Sequence, residues 1–152
     1  MAASTTPINT IYTFLMYKAT SAATTYTKLV DVKTTPQMGG EPEQVDITTL
    51  SDRIRKYIGG VEDPNGEGGG WTANYTAGDY ARLKALEGQQ VECALWIGGT
   101  LSGNTVTPTG DNGKWSWTGE IRVFKNGGEV NAAHEMTINT YPSTEVAFTY
   151  SA

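Results

Sequence analysis

Residues 90–124 alternate between apolar and polar positions. Val91, Cys93, Leu95 and Ile97 occupy every second position, with Glu92, Ala94 and Trp96 between them. After a turn-rich interval at 98–113, Trp115, Trp117, Ile121 and Val123 are set against Ser116, Thr118, Glu120, Arg122 and Phe124. A two-residue period belongs to extended strands, whose successive side chains leave opposite faces; a helix would scatter the same set around its circumference. The pattern continues with Ala132, His134, Met136 and Ile138 opposing Glu135, Thr137 and Asn139. Val146, Phe148 and Tyr150 follow a Tyr141-Pro142-Ser143-Thr144 turn. Asn126-Gly127-Gly128 reads as a tight turn. The second half is therefore expected to be an antiparallel meander, with Cys93 a core thiol and His134 an imidazole packed on the sheet beside Met136 and Ile138.

One helix interrupts the strands. Thr76 is placed as an N-cap with Asp79 three residues on, a capping-box arrangement with Asp in place of Glu. Tyr80, Leu83 and Leu86 then share a stripe, and Gly88 supplies a left-handed terminator. Before it, residues 71–75 read as a strand, as do 11–17, 29–32 and 45–49. The chain has 152 residues, enough for one domain burying roughly 70% of the surface its unfolded form exposes. With 38% hydrophobic and 18% charged residues and abundant Gly, Thr, Ser and Asn, it favours short strands and turns over helices. The expected fold is all-β with one short α-helix: two packed antiparallel sheets, a β-sandwich or partly closed barrel, flanked by the helix. Residues 1–10 are expected to form an N-terminal arm. Residues 50–70, dense in Gly and Pro, are expected to be a long mobile loop.

Composition excludes several functions. A net charge of −5 without a basic cluster argues against gripping nucleic acid through its phosphates. One cysteine rules out an internal disulfide and a cysteine-built zinc site. With His134 the only histidine, histidine-dependent catalytic constellations would all have to use it. Gly66-Glu67-Gly68-Gly69-Gly70 lacks the Lys and Ser/Thr of a phosphate loop, and Asp63, Asn65 and Glu67 lack the rest of a calcium loop. Glu41 and Glu43 read as solvated charge. Residues 11–23 lack the basic flank of a signal peptide, and no run approaches the ~20 apolar residues that span a bilayer. No catalytic residue, cofactor or metal is expected, and the chain reads as a soluble, non-enzymatic protein. A rival reading rests on Trp96, Trp115 and Trp117, which lie near hydroxyl- and amide-bearing residues as in the sugar-stacking face of a small carbohydrate-binding β-sandwich. Against it, Trp115 and Trp117 share the face of Ile121 and Val123, where a core belongs.

The stretch 29–60 carries a further signal. Gly39-Gly40-Glu41-Pro42-Glu43 precedes Val45-Asp46-Ile47-Thr48-Thr49-Leu50-Ser51-Asp52, and Tyr57-Ile58-Gly59-Gly60-Val61-Glu62-Asp63 follows. This order, with the strand at 71–75, the helix and the β-rich remainder, resembles the tail tube (major tail) proteins of phages with long, non-contractile tails. The resemblance implies a virion protein made in the host bacterial cytoplasm. Hexameric rings would stack into the conduit for DNA ejection, the DNA passing without specific binding. Self-association would be the main contact, with tape-measure, tail-terminator and tail-tip proteins as further partners. Ring stacking is then expected from Arg53, Ile54, Arg55, Lys56, Tyr57, Ile58, Val61, Glu62 and Asp63, which supply apolar anchors and charges of both signs. Asp31, Asp46, Glu120 and Glu135 are candidate lumen-facing acids, because a negative wall repels DNA with its one charge per ~1.7 Å of axis.

Overall fold

The alternating runs of the second half lie at the centre of a large antiparallel sheet, in a computed structural model that describes residues 6–9, 11–18, 23–62 and 70–150. In chain order the elements are β1 (Thr13–Tyr17), β2 (Thr27–Val30), β3 (Val32–Thr34), β4 (Pro42–Asp46), β5 (Tyr57–Glu62), β6 (Gly70–Asn74), α1 (Ala77–Leu86), β7 (Val91–Ser102), β8 (Thr105–Lys125), β9 (Glu135–Pro142) and β10 (Ala147–Thr149). Among the described residues the fold is all-β with one helix and two antiparallel sheets. The large sheet runs β2-β1-β7-β8-β9-β6-β3, with β10 also on β8, and the second is the hairpin β4-β5. Strands β2 and β3 stand at opposite ends of the path, yet only Asp31 separates them along the chain. The sheet must therefore curl until its ends meet, and β3 comes up against β1.

Register explains which face is buried. Cys93 pairs with Trp117 across β7 and β8, Val123 with Ile138 across β8 and β9, and Trp71 with Ile138 across β6 and β9. The odd positions of β7 and β8 and the even ones of β9 thus meet in one core with Leu15, Leu29 and Leu83. Trp71 is fully buried and stacks on Trp117 with ring centroids 6.1 Å apart. Full burial of each large apolar side chain contributes about 1.5–3 kcal/mol, so this inner face accounts for the fold. Cys93 is buried as expected, and burial, helped by the charge of Glu92, pushes its thiol up to about 12.

The helix forms where its signals place it. The Thr76 hydroxyl accepts the Asp79 N–H at 3.2 Å, and Gly88 takes φ +80° just past the end. Leu83 enters the core with Tyr80 and Leu86 packed around it. Past its end Glu87 completes the sheet. Strand β7 starts at Val91, opposite Gly119, so β8 beyond that point lacks its neighbour on this side. The Glu87 carboxylate accepts the Val123 N–H at 2.8 Å, which holds its carboxyl below the usual carboxylate range.

Three local readings change. Residues 98–113 are mostly strand: β7 and β8 continue to a two-residue turn at Gly103-Asn104. Their turn chemistry serves instead a bulge in which the register passes from Ile97↔Gly113 to Gly99↔Pro108, with Gly98, Gly110 and Gly113 all at positive φ. The connection after β8 is no tight turn, because β9 starts only at Glu135. Its closing contacts are Asn126 N–H to the Glu135 carbonyl and Tyr75 N–H to the His134 carbonyl. His134 accordingly lies outside the ladder, exposed, its ring edge-on to Tyr75 at 6.5 Å. Of the N-terminal arm, residues 6–9 are exposed, and 1–5 and 10 lie outside the described residues.

At Gly119 the end of β9 crosses so closely that a Cβ would fall on the Tyr141 carbonyl oxygen. The contact is held by Ser143 N–H to the Thr118 carbonyl at 2.8 Å and Thr118 N–H to the Thr144 hydroxyl at 2.9 Å. Gly119→Ala should lower stability by about 1–3 kcal/mol. Gly78→Ala, in the helix with nothing within 4 Å of the added carbon, should raise it by about 0.5–1 kcal/mol. Denaturant unfolding of the two variants reads both signs.

Candidate assembly surface

Strands β4 and β5 pair as Gln44↔Gly59, Val45↔Ile58 and Asp46↔Tyr57, and rejoin at Pro42↔Glu62 after an irregularity. There Glu43 stands against Gly60 and Val61. The Glu43 carbonyl oxygen and Val45 Cγ2 lie 3.0 and 3.1 Å from where a Gly60 Cβ would sit. A side chain at Gly60 would press on this crossing, and Gly59 and Gly60 hide the strand from its sequence. The reading of 50–70 as a mobile loop is therefore corrected: Tyr57, Ile58, Val61 and Glu62 belong to a paired strand. Residues 63–69, including Asp63, Asn65 and Glu67, lie outside the described residues.

The tip of the hairpin is also built. The Ile47 N–H reaches the Lys56 carbonyl at 3.0 Å, and the Lys56 N–H reaches the Thr48 hydroxyl at 2.9 Å. Asp52 then closes the turn. Its carboxylate accepts the Thr49 N–H at 2.9 Å and the Thr49 hydroxyl at 3.1 Å, and the Lys56 ammonium lies 2.5 Å away.

Every residue of β4 and β5 is exposed. Around the hairpin, Leu50, Ile54 and Val61 are 108%, 69% and 84% exposed, with Val45, Ile47, Tyr57 and Ile58 nearly half or more. Val45 and Ile58 are direct partners on one face, whereas Tyr57 faces the other way with Asp46. A lone two-stranded ribbon is marginal in water, and one apolar on both faces cannot be satisfied by lying on its own sheet. Its charge is divided lengthwise. Arg53, Arg55 and Lys56 are at the tip, where they outnumber Asp46 and Asp52, which Arg55 approaches at 3.7 Å and Lys56 meets at 2.5 Å. Glu41, Glu43 and Glu62 are at the base, exposed and without an ion pair among the described residues. Glu62 shares a shallow hollow with Pro142, Ser143, Thr144 and Glu145.

The four acids expected at a lumen wall do not form one surface. Glu120 and Glu135 do share the outer face of the large sheet, where Glu120 pairs with Arg122 at 3.3 Å and Glu135 with Lys33. Asp31 is the link between β2 and β3, paired with Lys28 at 2.8 Å, and Asp46 belongs to the hairpin. The tryptophans are divided as well. Trp117 is in the core and Trp115 lies against Phe148 at 4.9 Å, while Trp96, on the opposite face of the sheet, is covered by Lys114 at 4.2 Å and flanked by Tyr26 at 5.6 Å. No single face collects the three rings.

Two acids outside the expected set, Glu41 and Glu43, gain meaning only from the strand pairing that brings them beside Glu62. Among the described residues no group of His, Cys, Asp and Glu is placed to hold a metal ion. No helix there is long and apolar enough to cross a membrane. No family model matches the chain, and no curated protein does.

Hydrogen bonds hold two hairpin carboxyls below their usual range: for Asp52 from the Lys56 ammonium first and then the Thr49 N–H, for Asp46 from the Thr48 hydroxyl and then its N–H. A carboxyl depressed in the fold stabilises it above the ordinary carboxylate pKa of about 4, and that contribution is lost as pH falls through the depressed value. Protection of the Thr49 amide, taken against its intrinsic exchange rate at each pH, should therefore fall as pH drops below about 4, before protection in β7 and β8 falls. In Asp52→Asn that protection should already be reduced at neutral pH.

Proposed function

We propose that this protein is a structural virion subunit, a phage tail tube protein that polymerises as stacked hexameric rings into the conduit for DNA. The observation that carries the reading is the β4-β5 ribbon, ordered to its tip and apolar on both faces, standing clear of the core that the rest of the chain makes. An ordered apolar ribbon in water is a contact surface awaiting cover, and a subunit that repeats it along an axis becomes a filament. Arg53, Ile54, Arg55, Lys56, Tyr57, Ile58, Val61 and Glu62 all lie on it, so the stacking role passes from a loop that orders on contact to a preformed arm. Preformation lowers the ordering entropy that assembly must overcome.

In such a tube the outer face of the large sheet, with Glu120 and Glu135, is the wall presented to DNA. Its acids are interleaved with Arg122 and Lys33, so the face is near charge balance and offers a polyanion little to hold. Tape-measure, terminator and tip proteins would meet the open ends of the stack, in the virion.

Concentrated protein viewed by negative-stain electron microscopy should form rings or tubes. Leu50→Glu with Ile54→Glu, both at exposed tip positions, should leave circular dichroism and thermal unfolding unchanged and abolish tubes. Tubes of normal length from this variant would remove the hairpin from stacking. A subunit that stays monomeric at every concentration, and binds an immobilised polysaccharide instead, would replace the tube by the carbohydrate-binding module.

A further inference from the structure

We propose that the apolar faces of the β4-β5 ribbon are covered by the ribbon of a second copy of the chain, laid so that the tip of one rests on the base of the next. This rests on the tube reading and names the surface that receives the arm. Arg53 at the tip has no ion pair among the described residues, and the largely exposed Arg55 has only a 3.7 Å approach to Asp46. Glu41, Glu43 and Glu62 at the base are likewise without cations. From Pro42 to Thr48 a strand rising ~3.3 Å per residue covers roughly 20 Å, so one subunit cannot bring its own tip to its own base. The complementary sets meet only between copies.

Direction follows from the difference between the two surfaces. Parallel ribbons in matched register would set arginines against arginines and glutamates against glutamates, and an antiparallel pair would close as a dimer. A parallel shift that lays the tip of one ribbon over the base of the next replaces the repulsion with attraction while Leu50 and Ile54 at the tip and Val61 at the base come under cover. It leaves a free base at one end of the pair and a free tip at the other, so this contact repeats instead of closing. Because these charges are exposed, they act on the encounter rate and register more than on the final affinity. Growth should slow as added salt shortens the screening length from about 10 Å at 0.1 M toward 3 Å at 1 M.

The test is a charge exchange. R53E/R55E and E41R/E43R/E62R should each fold, since exposed pairs contribute little to stability, and each alone should elongate about 10-fold or more slowly than the wild type by light scattering. Mixing the two proteins should restore growth, because each then finds its complement on the other, and the five-site exchange in one chain should restore it without mixing. If the wild type builds tubes while the mixture and the five-site exchange remain as slow as either parent, the tip-on-base contact is wrong and the tube reading stands. If the mixture stops at a dimer in analytical ultracentrifugation, the contact closes on itself and the proposal falls. A wild type that never associates removes this proposal and the tube together.

Discussion

One residue joins the two ends of the large sheet. Because β2 and β3 are separated only by Asp31 yet terminate the path on opposite sides, the seven strands between and including them have no flat arrangement open to them. The curl brings Leu29 and Val30 from one end and Val32 from the other against the same cluster of Trp71, Trp117 and Ile121. The stacked indoles of Trp71 and Trp117 hold β6 and β8 at a fixed separation across it, and α1 closes the cluster with Leu83.

The molecule keeps two separate hydrophobic populations. The inner one is consumed by folding: Leu15, Trp71, Ile121, Met136 and Ile138 are fully buried. The outer one, on and around the ribbon, is left in water by the described residues. Leu50, Ile54 and Val61 lie there beside strand edges that are also unpaired, where Lys, Glu or Thr would cost the fold little.

Much of the large sheet was legible in the residues, for a physical reason. Where one face is buried, a period of two is imposed on every strand, so β7, β8 and β9 announce themselves, and the Thr76 cap with Gly88 brackets the helix. The ribbon was not legible. With neither face buried in the subunit, nothing imposes alternation on it, and the glycines where Glu43 crosses Gly60 carry the signature of a loop. His134 shows the opposite failure: it continues the alternation of Met136 and Ile138 by spacing alone, one residue beyond the point where the ladder begins. Local patterning is weakest where no core burial constrains it.

Strand β8 has a mechanical consequence. Its 21 residues are clamped by β7 on one side and by β9 and β10 on the other, with Glu87 fastening the stretch β7 does not reach. Tension applied along such a strand loads its cross-strand hydrogen bonds in shear, so they must fail together, whereas tension prying β4 from β5 at their open end parts the bonds singly, as in a zipper. The protein is therefore stiff along β8 and compliant at the ribbon.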